Sequence, residues 1–359
     1  MKFSDIITRF NRYYSWIPRR FFPTHAFLPR QFIFEITYRC NFRCPVCQFR
    51  PILKGKVDQG KRELTTEQVI ACIKKLPRYS LISLTGGEPF VREDIVEILN
   101  ESTRLRKIHL ITNGSLLTPE ICELICGMGI KHPLLSGLVG VDISYYGNLV
   151  DGVIKSDSST TGLSNMLEAR GKSGGKYPFI NFKIVITEEN IPMILPFYKY
   201  AVREGVDVCS FLLRTSSSNF DRERMVENLD DVKKMSLAPH LDLDESRKEY
   251  LKDQLFEVYD FSKDCKTQLR FSPSVSVARF FELLTGDIDY RYLCCYAPWT
   301  FAAISAYGDL FPCSNLKIGS LLDNSLRELW STDKMKGFRL MLKGGLLSNC
   351  KKCCYLQEV

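Results

Sequence analysis

The sequence predicts an α/β fold built around a parallel sheet, and three observations carry that expectation. Short apolar runs alternate with amphipathic helical patterns from Gln31 to Arg214, strand before helix in six successive units, and that order calls for parallel strands with helices outside them. Six units are fewer than the eight of a closed barrel. At 359 residues, 45% apolar and 25% charged, the chain has the composition of a globular protein with one large domain and an appendage, or two domains.

The strand candidates are Phe32–Thr37, Leu81–Thr85, Lys107–Thr112, Leu138–Ser144, Phe179–Thr187 and Val206–Leu213. Between them the helical candidates are Thr65–Leu76, Arg92–Arg104, Thr118–Gly127, Thr161–Arg170 and Ile191–Glu204. Thr65 or Thr66 and Thr118 suit N-caps, with Pro119 at a first-turn position. Two polar loops, Ser156–Thr161 and Gly171–Lys176, flank the fourth helix and are expected to be mobile, one of them covering a substrate. Residues 221–290 read as a charged helical linker, and residues 291–359 as a small cysteine-rich domain. In that domain a hairpin (Phe301–Ala306 and Leu310–Cys313) precedes two short helices, Ser325–Trp330 and Met335–Leu342.

Composition excludes some classes. No apolar run reaches the roughly 18 residues of a membrane-spanning helix. Fourteen cysteines without a secretory signal predict a reducing, cytoplasmic setting in which thiols serve metals or catalysis. The net charge of +8 is uneven: residues 1–30 hold Lys2, Arg9, Arg12, Arg19, Arg20 and Arg30 against Asp5. The remaining charge is too small to argue for a nucleic-acid partner. In the same segment Phe3, Ile6, Ile7, Phe10, Tyr14 and Ile17 form a helical stripe, with Ser4 as cap and Pro18 as stop. It reads either as a helix on an anionic membrane surface, a peripheral contact through residues 1–20, or as a helix packing its stripe on the protein, the commoner outcome.

The chemistry is concentrated in Cys40, Cys44 and Cys47, a CxxxCxxC run directly after the first strand. Three thiolates leave one iron of a four-iron cluster open to a small molecule. A zinc knuckle is the alternative, although zinc ordinarily takes four ligands. Thr85-Gly86-Gly87-Glu88-Pro89 closes the second strand, with glycines for close approach and Pro89 fixing the exit. Asn113 ends the third strand, and Asp142 and Ser144 share a face of the fourth. Lys183 and Arg214 are candidates for an anionic group or for surface roles. His109 reads as a satisfied core histidine, and Cys72, Cys122, Cys126, Cys209 and Cys265 as buried thiols.

Together, the cysteine run, the Gly-Gly-Glu-Pro turn and the Thr-Asn-Gly turn resemble the signature of the radical S-adenosylmethionine (radical SAM) enzymes. The resemblance implies a partial (β/α)6 TIM-like barrel over residues 31–220. It implies a [4Fe-4S] cluster on Cys40, Cys44 and Cys47 that binds SAM and cleaves it to a 5′-deoxyadenosyl radical. It also implies SAM contacts at Gly86, Gly87, Glu88, Pro89, Asn113, Asp142 and Ser144. Val46 departs from the aromatic residue usual before the third cysteine, so Phe42 or Phe49 takes its place at the adenine.

Farther on, Cys295, Gly308-x4-Cys313 and Cys350-x2-Cys353 resemble the SPASM and twitch domains, which carry auxiliary iron–sulfur clusters. Cys294 and Cys354 are adjacent alternatives, and a structural zinc site fits the same spacing. The resemblance implies an oxidoreductase that modifies a small molecule, with the auxiliary cluster accepting an electron and a flavodoxin- or ferredoxin-like donor supplying one. The alternatives are maturation of a peptide or protein side chain and, outside enzymes, a zinc- or cluster-binding regulator. The sequence shows no peptide-binding domain ahead of the barrel, which favours a small molecule, a non-canonical peptide or a lipid-borne substrate.

Overall fold

The computed structural model describes residues 14–54, 63–130, 136–147, 149–150, 153–215, 225–235, 240–313 and 315–358. The strands are β1 (Gln31–Thr37), β2 (Leu81–Gly86), β3 (Lys107–Thr112), β4 (Gly137–Ser144), β5 (Leu149–Val150), β6 (Val153–Ile154), β7 (Phe179–Val185), β8 (Val208–Leu212), β9 (Gln268–Ser272), β10 (Leu293–Cys295), β11 (Phe301–Ile304), β12 (Asp309–Phe311), β13 (Gly319–Ser320) and β14 (Leu356–Glu358). The helices are α1 (14–21), α2 (Arg50–Lys54), α3 (Thr66–Lys75), α4 (Ile95–Leu105), α5 (Pro119–Gly127), α6 (Ser158–Ser173), α7 (Ile194–Glu204), α8 (Leu229–Lys233), α9 (Glu245–Ser262), α10 (Val277–Thr285), α11 (Ala297–Thr300), α12 (Leu326–Trp330) and α13 (Asp333–Lys343).

Local chemistry explains the helix starts. Thr65 caps α3 in a reciprocal box with Gln68, and Thr118 caps α5 with Pro119 in its first turn. The strands β1, β2, β3, β4, β7, β8 and β9 run in parallel, and β11 joins alongside β1, also parallel; β12 and β13 extend that edge antiparallel. One face of this sheet (Phe34, Leu84, Leu110, Val141, Phe182, Phe211) is buried in a core shared with α3, α4, α5 and α7. The opposite face is polar and forms the inner surface of the open barrel.

Several expectations are corrected. The segment read as a helical linker also contains β9, which pairs with β8 from Val208↔Gln268 to Leu212↔Ser272. The first polar loop is largely helix, because Asp157 accepts from the Ser159 and Thr160 amides and starts α6 at Ser158. The predicted strand Leu310–Cys313 is Asp309–Phe311, leaving Cys313 beyond its end.

Pro18 does not stop the N-terminal helix, since its carbonyl accepts from Phe22 N at 2.8 Å and α1 continues to residue 21. Ser4, Phe3, Ile6, Ile7 and Phe10 lie outside the described residues. Within α1 the buried side is Ser15 and Pro18, whereas Ile17 and Phe21 are exposed. At the described end of the stripe Tyr14 is half-buried, its hydroxyl donating to Leu28 O at 2.7 Å, and Ile17 is exposed.

Candidate active site

The cysteine run leaves β1 through fully buried Tyr38. Cys47 N donates to Cys44 O and Arg50 N to Cys47 O, both at 3.2 Å, so the run winds directly into α2. Phe42 N donates to Cys40 Sγ at 3.3 Å. Burial raises all three thiols, Cys44 to about 11, and the neighbouring Cys47 and Cys40 add to that rise. Burial is likewise the main cause at Cys40, with Glu88 raising it and the Phe42 amide, Arg43 and Asn113 opposing.

The two glycines serve an approach of chain to chain. Gly86 has φ +136°, and a Cβ there would lie 2.1 Å from Thr37 O; one on Gly87 would lie 2.1 Å from Arg39 O and 3.2 Å from Cys40 Cβ. That clearance lets Gly87 N donate to Thr37 O (2.7 Å) and Glu88 N to Arg39 O (2.9 Å), fastening the end of β2 to the cysteine run. Glu88 is fully buried. Its carboxylate accepts from Thr112 Oγ1 (2.7 Å), Asn113 N (2.6 Å) and Phe90 N (3.1 Å). Burial pushes its pKa up, and those three donors pull it back. Here the Glu88 carboxylate holds the β2 and β3 ends together, and Pro89 opens the short 3-10 turn that follows. Asn113 reaches the cysteine run itself: its Nδ2 donates to Asn41 Oδ1 at 3.0 Å, and its Oδ1 accepts from Ser115 N at 2.8 Å.

Asp142 is bonded within the sheet's own side chains. Its carboxylate takes His109 Nε2 (2.9 Å), Asn181 Nδ2 (2.9 Å) and Lys183 Nζ (3.1 Å). Burial raises its pKa, but Lys183 and His109 outweigh that and hold it well below the usual carboxylate range. The network continues from His109 Nδ1 to Ser83 Oγ (3.0 Å) and from Asn181 Oδ1 to Ser210 Oγ (2.8 Å). Ser83, His109, Asp142, Asn181 and Ser210 thus form a hydrogen-bonded ladder across β2, β3, β4, β7 and β8. His109 is a satisfied interior histidine, as expected. Lys183 is neither at the surface nor facing outward; its side chain is 12% exposed beside Asp142. Ser144 ends β4 in register with Lys183, and Arg214 is exposed beyond β8. Sequence reasoning missed Ser83, Asn181 and Ser210, whose signal was a polar residue interrupting an otherwise apolar strand.

In the C-terminal region Cys295 is deeply buried; burial raises its thiol well above the ordinary value, with Cys350 and Cys353 adding to the rise. Burial and Cys353 push Cys350 up to about 12. Tyr355 sits among Cys354, Cys353, Cys313 and Cys295, which together with burial raise its hydroxyl. Strand alternation sends Cys294 to the opposite side of β10, opposite Gln357. Cys353 and Cys354 are hydrogen-bonded to one another. Of the other cysteines, Cys72, Cys122, Cys126 and Cys209 are buried, whereas Cys265 is only half-buried, its thiol donating to Phe261 O at 3.3 Å near the end of α9.

None of the fourteen cysteines is in a disulfide. Among the described residues no three His, Cys, Asp or Glu side chains converge on a single metal-ion site. The fit to iron–sulfur groups therefore rests on donor chemistry: two sets of thiols within one another's field, the first half-buried beside a glycine cradle and amide donors.

Comparisons with known proteins agree with this chemistry. A radical SAM superfamily model matches residues 34–139, and an iron–sulfur cluster-binding domain model, SPASM, matches residues 294–354. The chain is 23% identical to a tungsten-containing aldehyde ferredoxin oxidoreductase cofactor-modifying protein of Pyrococcus furiosus, over 89% of this chain and 85% of that one. It is 23% identical to an AdoMet-dependent heme synthase of Methanosarcina barkeri, over 84% and 82%. It is 28% identical to the mycofactocin maturase of Mycolicibacterium smegmatis, over 52% and 45%. Among solved structures, Streptococcus suis SuiB bound to its precursor peptide SuiA superposes with a TM-score of 0.59 at 16% identity, over 91% and 71%.

Proposed function

The chain is a radical SAM enzyme with a C-terminal SPASM-type iron–sulfur domain, and from that premise we propose that it oxidatively modifies a small polar molecule held in the open barrel. When bound, a [4Fe-4S] cluster with SAM and an auxiliary cluster supply hydrogen-atom abstraction and an electron acceptor. The proposed ligands are Cys40, Cys44 and Cys47 for the first and Cys295, Cys313, Cys350 and Cys353 for the second. A flavodoxin- or ferredoxin-like protein is the proposed reductant.

The observation that carries this reading is the polar ladder on the inner face of the sheet. Fixed donors and acceptors from five strands suit orientation of a molecule rich in oxygen or nitrogen, and a rigid, pre-bonded network costs little further ordering when substrate enters. Asn41 and Asn113 bridge the cysteine run to the β3 end and hold the reacting edge of the site. The packed outer face, with its buried core, keeps water from the barrel wall. The two relatives aligned over more than four-fifths of both chains are named for a cofactor-modifying protein and a heme synthase, which supports a small-molecule substrate. The likeness to a mycofactocin maturase, confined to about half of each chain, supports the second reading, modification of a peptide or protein side chain.

The test is iron and sulfide content after anaerobic reconstitution, with 5′-deoxyadenosine release from SAM, in wild type and in a Cys40/Cys44/Cys47→Ala variant. About eight irons per chain falling to about four, with SAM cleavage lost, is the expected result. Absence of iron from both proteins would overturn the reading. Deuterium transfer into 5′-deoxyadenosine from a labelled extract, passed through a filter that retains peptides, separates the two substrate classes.

A further inference from the structure

We propose that the N-terminal segment, residues 14–30, is a peripheral docking surface for an anionic lipid bilayer. The segment attaches to the body at several points: Trp299 Nε1 donates to Pro23 O, Arg339 Nη1 to Thr24 O and Trp330 Nε1 to Phe27 O. Ser15 and Pro18 are buried, and the Arg19 guanidinium lies over the rings of Tyr296 (5.5 Å) and Trp299 (5.9 Å). The segment also carries Ile17, Phe21, Phe22 and Phe27, which are 41%, 59%, 63% and 54% exposed. These four fall within eleven positions; a second group, Tyr250, Phe256, Tyr259 and Phe261, lies along α9. A cluster of this kind is a binding surface unless it is a folding hazard.

Charge complementarity selects the occupant. Residues 1–30 hold six basic residues and one acid, and Arg20 is exposed beside Phe21. Next to the patch lies an open groove of about 650 Å³, lined by Phe27, Leu28, Tyr79, Arg30 and Arg327. Two arginines beside apolar and aromatic lining residues match a phosphate-bearing headgroup with its acyl chain. Aromatic and basic residues sharing one short segment are what an interfacial element needs. A protein surface of mixed charge gives no comparable reason for a run so one-sided.

The position in the fold sets the consequence. The segment meets the sheet at the strand starts, where Arg30 N donates to Thr300 O and Leu81 N to Arg30 O. Cys40 lies beyond the far end of β1, about 23 Å of strand away. Docking therefore leaves the cysteine run uncovered, and bound enzyme keeps its access to substrate and reductant.

The experiment is co-sedimentation of the full chain with vesicles of phosphatidylcholine alone and of phosphatidylcholine mixed with phosphatidylglycerol, at low and at high salt. Binding to the mixed vesicles, much weaker on neutral ones and reduced by salt, is expected. A Phe21→Ser/Phe22→Ser variant should bind at least about tenfold more weakly, and Arg20→Gln about fivefold more weakly. Both variants should keep wild-type iron content and denaturation midpoint, which excludes misfolding as the cause. Equal binding to neutral vesicles, or no binding to either, would overturn the proposal. So would a wild-type dimer that the Phe21→Ser/Phe22→Ser change dissociates without any vesicle binding.

Discussion

The rings of Tyr38 and Tyr307 meet with centroids 5.4 Å apart and planes at 60°, joining the residue before the cysteine run to the hairpin turn of the C-terminal region. The Tyr38 hydroxyl donates to Glu35 Oε2 at 2.6 Å and accepts from Ala306 N at 3.4 Å. One side chain thus ties β1, the cysteine run and the turn after β11. Tyr38→Phe keeps the ring contact and removes the hydroxyl, depriving a buried carboxylate of a short donor. A loss of about 1.5–3 kcal/mol in unfolding free energy is expected, measured by urea denaturation of the metal-free protein. An unchanged midpoint would mean that the ring alone holds this junction.

Glu88→Gln is isosteric but chemically mismatched. Both carboxylate oxygens accept from donors, and a glutamine offers one oxygen and one NH2 group. Whichever way the amide turns, a donor faces a donor: either Asn113 N, or Thr112 Oγ1 with Phe90 N. The expected cost is about 1–3 kcal/mol, felt at the junction of the β2 end with the cysteine run. Iron content after reconstitution should fall more than in Glu88→Asp, which keeps the acceptor chemistry. Wild-type iron content in Glu88→Gln would refute the positioning role.

Asp142 and Lys183 give a prediction with a pH signature. The Asp142 pKa is depressed on folding, so its contribution to stability is complete above its unfolded value of about 3.9 and is lost as pH falls toward the lower folded value. Asp142→Asn removes the charge that Lys183 faces in the barrel interior, a change that costs about 3–5 kcal/mol where the pair is buried. The difference in denaturation midpoint between wild type and variant should stay constant from neutral pH to about 5 and shrink only in stronger acid. A difference that instead vanishes near neutrality would place the titration elsewhere.

The sheet was legible in the sequence where local pattern decides structure, and not where distant pairing does. Lys107–Thr112 matches its predicted strand, and Thr118 and Thr65 cap the helices expected of them, because apolar alternation and capping chemistry are local signals. The strand β9 escaped notice because Gln268–Ser272 is short, exposed at Gln268 and Arg270, and preceded by a long charged helix. Nothing local in Phe301–Ile304 announces that it lies parallel to β1. The inner ladder failed to appear for the same reason. A period of two places Asp142 and Ser144 on one face, but only register brings His109, Asn181 and Lys183 to the Asp142 carboxylate.

Register also separates two neighbouring thiols. Leu293, Cys294 and Cys295 pair antiparallel with Glu358, Gln357 and Leu356, so Cys294 and Cys295 point to opposite faces of this two-stranded sheet. Cys295 packs with Phe301, Phe311 and Tyr355 on the side where Cys350 and Cys353 raise its thiol. Cys295→Ser should therefore reduce reconstituted iron by about half of its two-cluster value and leave the absorption and SAM cleavage of the first cluster in place. Cys294→Ser, an equally small change one residue away, should retain full iron content. If the two variants exchange these outcomes, the β10 register is wrong by one residue. Should neither lose iron, the C-terminal thiols hold no cluster, and the electron-acceptor role would fall with it.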